Sequence, residues 1–185
     1  MSDIIPHMTQ VLQEADCLAT EEQVEQAIDT MAGAITDTLS NSDPLLLCTM
    51  NGGLILTAKL LSRLRFPLQV DYIHATRYRN ETTAGDMHWR AMPEQSLEQR
   101  NVLIIDDILD VGVTLAGIIA YCRSAGVQSV RSAVLVDKIH NRKFDKSLQA
   151  DFCGLYIEDR YLFGCGMDYR GYWRNVPGIY AVKGH

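Results

Sequence analysis

This sequence lacks a long apolar run, a block of basic residues and a pair of closely spaced cysteines. No apolar segment approaches the roughly 20 residues that a membrane-spanning helix requires, so we expect no membrane partner. Acidic residues (23) outnumber basic ones (17), and a formal net charge of −6 argues against nucleic acid as a partner. The opening residues, MSDIIPHMTQ, also lack the basic region and apolar core of a signal peptide.

Cysteine usage gives no sign of a disulfide framework. The five cysteines are scattered, odd in number and form no CxxC motif; they are Cys17, Cys48, Cys122, Cys153 and Cys165. Such usage predicts reduced thiols that mostly fill space in the core, and a cytoplasmic location.

The chain does contain the alternation of strands and helices that is typical of an α/β domain. At 185 residues, 47% of them hydrophobic and 22% charged, it fits one domain, residues 1–185, with a sizeable core. Apolar runs predict strands at Leu45–Thr49, Leu68–His74, Val102–Ile105, Val130–Val136 and Asp151–Ile157. Helical patterns lie at Met8–Ala15, after Thr20, at Leu54–Leu64, and from Leu115 to a glycine cap at Gly126. We therefore predict a parallel sheet with helices on both faces.

The helix after Thr20 is predicted in most detail. Thr20-Glu21-Glu22-Gln23 is a capping-box pattern, with Thr20 as the N-cap and Gln23 reaching back to it. One face of the helix collects Val24, Ile28, Met31, Ile35 and Leu39. The preceding residues, Asp16–Ala19, are expected to be a connector.

The most informative stretch is Asn101–Leu115, NVLIIDDILDVGVTL. A buried strand leads into an acidic turn at Asp106 and Asp107, then Asp110, a small-residue loop and a helix start. Main-chain N–H groups at such a helix start form an anion site. Carboxylates beside it would repel an anion unless a divalent cation or sugar hydroxyls lay between them. The alternative is that these three acids form a solvated strand exit and a helix cap. Three acids that lead into one loop favour a ligand site instead.

Two further segments have the composition of binding loops. Met50-Asn51-Gly52-Gly53 follows a strand and precedes a helix, either as a plain tight turn or as a backbone that approaches a ligand closely. Thr76–Gln99 is polar with little periodicity, which favours a mobile lid at roughly residues 76–90 or the tip of a hairpin.

The last third of the chain contains candidate residues for a flat aromatic ligand. Asp137 and Lys138 stand at the C-terminal end of a predicted strand, which is the edge where parallel sheets place ligands. Residues 139–149 are predicted to be a polar surface connection. Aromatic residues, glycines and charges then interleave from Asp159 to Arg174. This composition predicts a small hood, built from roughly residues 1–20 and 150–185.

The run IDDILDVGVTL resembles the signature that type I phosphoribosyltransferases use for phosphoribosyl pyrophosphate (PRPP), and within that family the hypoxanthine-guanine enzymes. The similarity spans about Leu45 to Val182. It implies a parallel α/β sheet with a small hood. It also implies purine salvage: hypoxanthine or guanine and PRPP give IMP or GMP and pyrophosphate, with Mg²⁺. A homo-oligomer, dimer or tetramer, is implied as well.

The resemblance assigns a role to each matching residue. The PRPP residues would be Asp106, Asp107, Asp110, Val111, Gly112, Val113 and Thr114, with Asp110 as the catalytic acceptor of the purine N7 proton. The pyrophosphate residues would be Asn51, Gly52, Arg77 and Arg174, with a cis peptide between Met50 and Asn51. The purine residues would be Lys138 at the 6-oxo group, Tyr161 stacked on the ring, Leu162 through its main chain, and Asp168. The Mg²⁺ ligands would be Asp106, Asp107 and Asp168.

The chain departs from the family pattern at two positions. Val111 stands where relatives often have threonine, so only its backbone can contribute to a phosphate site. Arg77-Tyr78 stands where relatives have a Ser-Tyr lid pair over the reacting centre.

Residues outside the signature also have simpler interpretations. Taken alone, Lys138 is a surface lysine, Tyr161 a core aromatic and Arg174 a partner in a surface salt bridge. Two other functions also use such features. A PRPP-sensing regulator would need a DNA-binding extension or a basic face, and a phospho-acceptor receiver domain would place its acidic pair after the first strand.

Overall fold

Six strands form the main sheet of the computed structural model, which describes residues 4–77 and 87–184. The elements of these two ranges are α1 (Ile4–Glu14), β1 (Asp16–Ala19), α2 (Glu21–Leu39), β2 (Leu45–Thr49), α3 (Leu54–Leu61), β3 (Gln69–Arg77), β4 (Met87–Ala91), β5 (Asn101–Leu109), α4 (Val113–Ser124), β6 (Ser129–Ile139), β7 (Phe152–Glu158), β8 (Leu162–Phe163) and β9 (Ile179–Ala181). The strand order of the main sheet is β4-β3-β2-β5-β6-β7. Neighbours pair in parallel, except that β4 lies antiparallel beside β3. The predicted parallel α/β sheet is confirmed.

Helices pack on both faces of this sheet because its strands are apolar on both sides. Leu46 of β2 and Leu103 of β5 belong to the cluster that contains α2 and α3. Leu47 and Ile104, their neighbours along each strand, belong to the cluster that contains α4. Side chains that alternate between two covered faces give a continuous apolar run, which is why these strands were recognisable.

The details predicted for α2 are also confirmed. The Gln23 main-chain N–H donates to the Thr20 hydroxyl, and the Thr20 N–H donates to the Gln23 side-chain oxygen at 2.9 Å. Its predicted apolar face is buried: Val24, Ile28, Met31, Ile35 and Leu39. Burial of each large side chain is worth about 1.5–3 kcal/mol, so this face holds the helix on the sheet. At the end of α4, Gly126 has the left-handed conformation expected of a cap, with φ of +77°.

The described strands outside the main sheet form a small hood from both ends of the chain. Their order is β1-β9-β8, with β9 antiparallel to both neighbours. Arg160 pairs with Asp16 at 2.7 Å, and the Trp173 indole N–H donates to the Met8 carbonyl at 3.0 Å, which ties α1 to the C-terminal segment. A Cβ at Gly166 would lie 2.3 Å from the Gly52 carbonyl oxygen. The hood therefore contacts the loop that follows β2.

Some local predictions were wrong because the deciding partner is distant in sequence. Asp16–Ala19, expected as a connector, is strand β1, since it pairs with β9. Asp106 and Asp107, expected in a turn, lie inside β5, because pairing with β6 continues to Leu109. Part of the expected loop 76–99 is strand β4, which pairs with β3. Residues 152–158 lie in the main sheet rather than in the hood.

Among the described residues, no helix is both long enough and apolar enough to span a membrane.

The five cysteines lie among the described residues and are free thiols. We expect Cys17, which is exposed, to react rapidly with Ellman's reagent in the folded protein. Cys48, Cys122, Cys153 and Cys165 should not react rapidly, because burial raises the pKa of each thiol, to about 11 for Cys122 and Cys165. Thiol titration in buffer and in urea tests this, with one rapid equivalent expected in buffer and five in urea. Three rapid equivalents in buffer would contradict it.

Candidate active site

The loops at one edge of the main sheet contain the predicted site residues. Because β2, β5, β6 and β7 run parallel, their C-terminal ends meet at the same edge. The edge carries Met50–Gly53 after β2, Asp110–Gly112 after β5 and Lys138 at the end of β6. Open parallel sheets bind their ligands at this edge.

A cavity of about 390 Å³ lies at this edge, between the loops after β2 and β5. Its lining includes the predicted PRPP and pyrophosphate residues whose side chains are described: Asn51, Gly52, Asp106, Asp107, Asp110, Val111, Gly112, Val113, Thr114 and Arg174. Asp168, predicted as a purine and Mg²⁺ residue, lines it as well. Thr49 and Ala75, which the sequence did not single out, also line it. Within the described residues the buried Thr49 hydroxyl has no hydrogen-bond partner.

The loop between β5 and α4 has the geometry of an anion site. Gly112 is the N-cap of α4 with φ of +86°, a conformation that favours glycine, and the helix begins at Val113. The first N–H groups of a helix lack partners within it and point along its positive end. The loop is held from outside, since the Phe144 N–H donates to the Val111 carbonyl at 2.8 Å. Val111 therefore has a structural role through its main chain, without the hydroxyl of a threonine.

The loop after β2 brings its backbone against the acidic pair. The Met50–Asn51 peptide is cis, as the resemblance implied. A Cβ on Gly52 would lie 2.2 Å from an Asp107 carboxylate oxygen, and one on Gly53 would lie 2.3 Å from the Ile105 carbonyl oxygen. Only glycine fits at either position without displacing its neighbour.

Gly52→Ala is therefore expected to displace the Asp107 carboxylate and to lower turnover more than tenfold, while Gly33→Ala should not. Gly33 lies on the exposed side of α2, and a Cβ there would meet nothing within 4 Å. Alanine at that position should instead stabilise the helix by roughly 0.5–1 kcal/mol. Turnover and thermal unfolding of both variants test this expectation. Unchanged turnover in Gly52→Ala would contradict the close approach of this loop to Asp107.

Carboxylates concentrate negative charge in this cavity. Burial, followed by the charge of Asp107, raises the pKa of the Asp106 carboxyl well above its ordinary value. Burial likewise raises the pKa of Asp107. Among the described residues Arg174 is the cation that pairs with Asp168 and lies 3.7 Å from Asp107. One guanidinium facing three carboxylates leaves a surplus of negative charge, and carboxylate oxygens are the ligands that Mg²⁺ prefers. This donor set fits a divalent cation.

A second cavity of about 290 Å³ adjoins the first and contains the predicted purine residues. Its lining is Asp107, Ile108, Asp110, Lys138, Tyr161, Leu162, Met167 and Asp168. Lys138 is only 7% exposed, so it is not a surface lysine, and Tyr161 is 48% exposed, so it is not a core aromatic. Asp107, Asp110 and Asp168 line both cavities.

Three residues around Asp110 were missed by sequence reasoning. His140 Nε2 lies 2.8 Å from an Asp110 carboxylate oxygen, and Arg142 lies 3.6 Å from the same oxygen. Asp159 accepts from Arg142 and pairs with Lys138 at 2.9 Å, and these cations hold its pKa at about 2. For His140 and Arg142 one sequence signal was available: they follow Lys138 at intervals of two residues, the spacing of side chains on one face of a strand.

Two predicted contacts lie outside the described residues. They are the side chain of Arg77, expected at pyrophosphate, and Tyr78, expected in the lid. The lid at roughly 76–90 falls largely in the same part of the chain, and these assignments remain predictions.

Comparison with known proteins agrees with this geometry. The family model for the phosphoribosyl transferase domain matches residues 14–166. The hypoxanthine-guanine phosphoribosyltransferase of Bacillus subtilis is 30% identical over 167 residues, covering 90% of this chain and 92% of that protein. The hypoxanthine-guanine-xanthine enzyme of Tritrichomonas foetus is 28% identical, covering 90% of each. A crystal structure of hypoxanthine phosphoribosyltransferase from Staphylococcus aureus superposes with a TM-score of 0.87, at 27% identity, covering 99% of this chain and 97% of that one.

Proposed function

Since this chain belongs to the phosphoribosyl transferase domain family, we propose that it is a purine-salvage enzyme that converts hypoxanthine or guanine and PRPP to IMP or GMP and pyrophosphate. The observation that supports this best is the pair of adjoining cavities that share Asp110. One has the chemistry to hold a phosphorylated sugar and the other to hold a base, so the bond between them would form beside Asp110. The alternative of a PRPP-sensing regulator receives no support from the comparisons.

On the PRPP side, binding depends mainly on charged side chains and main-chain N–H groups. The main-chain groups of residues 110–114 and the Thr114 hydroxyl bind the 5′-phosphate. Asn51, Gly52, Arg174 and Arg77 hold the pyrophosphate, where a guanidinium can form two parallel hydrogen bonds to phosphate oxygens. Cleavage at C1′ builds negative charge on the leaving group, so fixed cations lower the barrier.

Magnesium is the proposed cofactor, with Asp106, Asp107 and Asp168 as the residues that would hold it. When bound, the ion would neutralise charge on the pyrophosphate. Asp106 and Asp107 also accept hydrogen bonds from the ribose hydroxyls.

On the base side, polar and aromatic groups contact different parts of a 6-oxopurine. The Lys138 ammonium donates to the 6-oxo group, Tyr161 stacks on the ring and Leu162 contacts the base through its main chain. Asp110 accepts the N7 proton: the N–H bond breaks, an O–H bond forms, and the electron pair stays on the purine.

The cellular location and the oligomeric state are also proposed. The five free thiols suit a reducing compartment, which supports a cytoplasmic location. A homodimer or homotetramer remains a prediction, which light scattering on the purified protein would decide.

Initial rates with PRPP, Mg²⁺ and each of four purines test the proposed function. We expect rapid turnover of hypoxanthine and guanine, and a kcat/KM for adenine that is lower by about 10²-fold or more. Xanthine measures whether the base site also tolerates a 2-oxo group. Turnover of adenine alone, or of no purine, would contradict the proposal.

A further inference from the structure

His140 is a buried histidine without a role in the site as proposed above. Its side chain is 4% exposed, and its Nε2 lies 2.8 Å from Asp110 Oδ1. It follows Lys138 by two residues at the exit of β6, so one short segment supplies both the base-reading lysine and this contact.

The hydrogen bonds around the ring define which nitrogen carries the proton. The main-chain N–H of Arg142 donates to His140 Nδ1 at 3.0 Å, so Nδ1 is an acceptor. In a neutral imidazole the other nitrogen then carries the hydrogen. His140 Nε2–H therefore donates to Asp110 Oδ1, and the ring is held at both nitrogens.

Among the described residues, His140 makes the shortest contact to Asp110. Lys138 is 3.5 Å from Oδ2 and Arg142 is 3.6 Å from Oδ1. Both cations are closer to Asp159, at 2.9 Å and 2.7 Å. The nearby cations are thus directed mainly at the other carboxylate, and the orientation of the Asp110 carboxylate depends on the imidazole.

A metal ion is a second interpretation of the same atoms. One ligand atom from each of Asp110, His140 and Asp159 lies within 4.8 Å of the others. However, both carboxylates already face Lys138 and Arg142, so a divalent ion would add positive charge where the negative charge is already matched. The hydrogen bond accounts for the geometry without an ion.

We propose that His140 is a positioning residue for Asp110, an inference that rests on the proposed function. Its Nε2–H occupies Oδ1 and leaves Oδ2, the oxygen beside Lys138, to accept the proton from the purine. No proton passes to the imidazole, because Nδ1 is occupied as an acceptor. The connection that contains His140 also holds the loop between β5 and α4, since the Phe144 main-chain N–H donates to the Val111 carbonyl. This bond helps to fix the position of His140 relative to Asp110.

The test compares two variants of His140 that differ in one donor. His140→Phe keeps a ring in the buried position but removes the hydrogen bond, whereas His140→Gln places an amide donor near the position of Nε2. We expect His140→Phe to lower kcat about tenfold or more, the effect of losing one hydrogen bond to a charged group, with KM for both substrates within about twofold. His140→Gln should recover most of kcat.

A double variant shows whether the effect passes through Asp110. In the Asp110→Asn background, adding His140→Phe should cost little more than Asp110→Asn alone, since coupled residues are non-additive. Asn141→Ala, an exposed neighbour, is the control for general effects on the segment and should leave kcat unchanged. If His140→Phe does not fold, His140→Asn, whose amide is too short to reach Asp110, takes its place in the same comparison.

The possible results distinguish failure of the positioning role from failure of the proposed function. Unchanged kcat in the Phe variant, or equal losses in the Phe and Gln variants, would overturn the positioning role while leaving the proposed function intact. Independent, additive losses in the double variant would also overturn it. If the unchanged protein turns over no purine, the proposed function fails and the inference fails with it.

Discussion

Asp110→Asn is expected to slow turnover by roughly 10²–10⁴-fold, the usual contribution of a general acid–base group. The amide has nearly the same shape as the carboxylate and can still accept the hydrogen bond from His140. It has no basic oxygen, so it cannot take the purine N7 proton. PRPP affinity should change little, because the main-chain N–H groups of the loop remain.

The measurement pairs kcat for hypoxanthine with the PRPP dissociation constant from calorimetry. Asp37→Asn, an equivalent change on the exposed surface of α2, is the matched control and should have wild-type turnover. Wild-type kcat in Asp110→Asn would remove the assigned role. A loss of PRPP binding equal to the loss of turnover would place Asp110 in binding rather than in proton transfer.

Lys138→Met is expected to reduce the preference for hypoxanthine over adenine by about 10²-fold or more. An ammonium has three donors and no acceptor, so it binds a 6-oxo group but faces the 6-amino group of adenine donor to donor. Each buried polar group left unpaired costs about 1–3 kcal/mol, and every 1.4 kcal/mol is about tenfold. Two such groups therefore account for the discrimination.

The surroundings of Lys138 make this variant interpretable. When the ammonium is removed, Asp159 keeps its bonds from Arg142 and Asp110 keeps its bond from His140. Neither carboxylate is therefore left without a hydrogen-bond donor. Methionine fills similar space. We expect a higher KM for hypoxanthine and guanine with an unchanged PRPP dissociation constant. Lys146→Met, at an exposed position of the following connection, is the control.

The comparison to make is kcat/KM for hypoxanthine and for adenine in both proteins. A hypoxanthine-to-adenine ratio that stays the same in the methionine variant would mean that Lys138 does not read the base. The 6-oxopurine assignment would then lose its main physical support.

Local sequence patterns were sufficient to predict the framework of the site. Apolar runs such as Val102–Ile105 gave the buried strands, and parallel strands bring their C-terminal loops to one edge. The acidic residues and small residues that follow those apolar runs therefore had to lie together. The capping box at Thr20 was equally local, since both of its bonds join residues three apart.

Long-range pairing was not predictable in the same way. Strand β1 forms because Asp16 lies opposite Ala181, a partner 165 residues away that no local pattern announces. Asp106 and Asp107 belong to β5 for a similar reason, because β6 continues to pair beyond the apolar run. The contact between His140 and Asp110 also joins different loops, so the spacing of His140 from Lys138 could not show which residue the imidazole contacts.

The most direct test of the account is product analysis of one reaction mixture that contains the purified protein, hypoxanthine, PRPP and Mg²⁺. The account predicts IMP and pyrophosphate in equal amounts, each matching the PRPP consumed, and almost none of either in the same time with Asp110→Asn. PRPP that binds without being consumed, or that is hydrolysed without IMP formation, would contradict it.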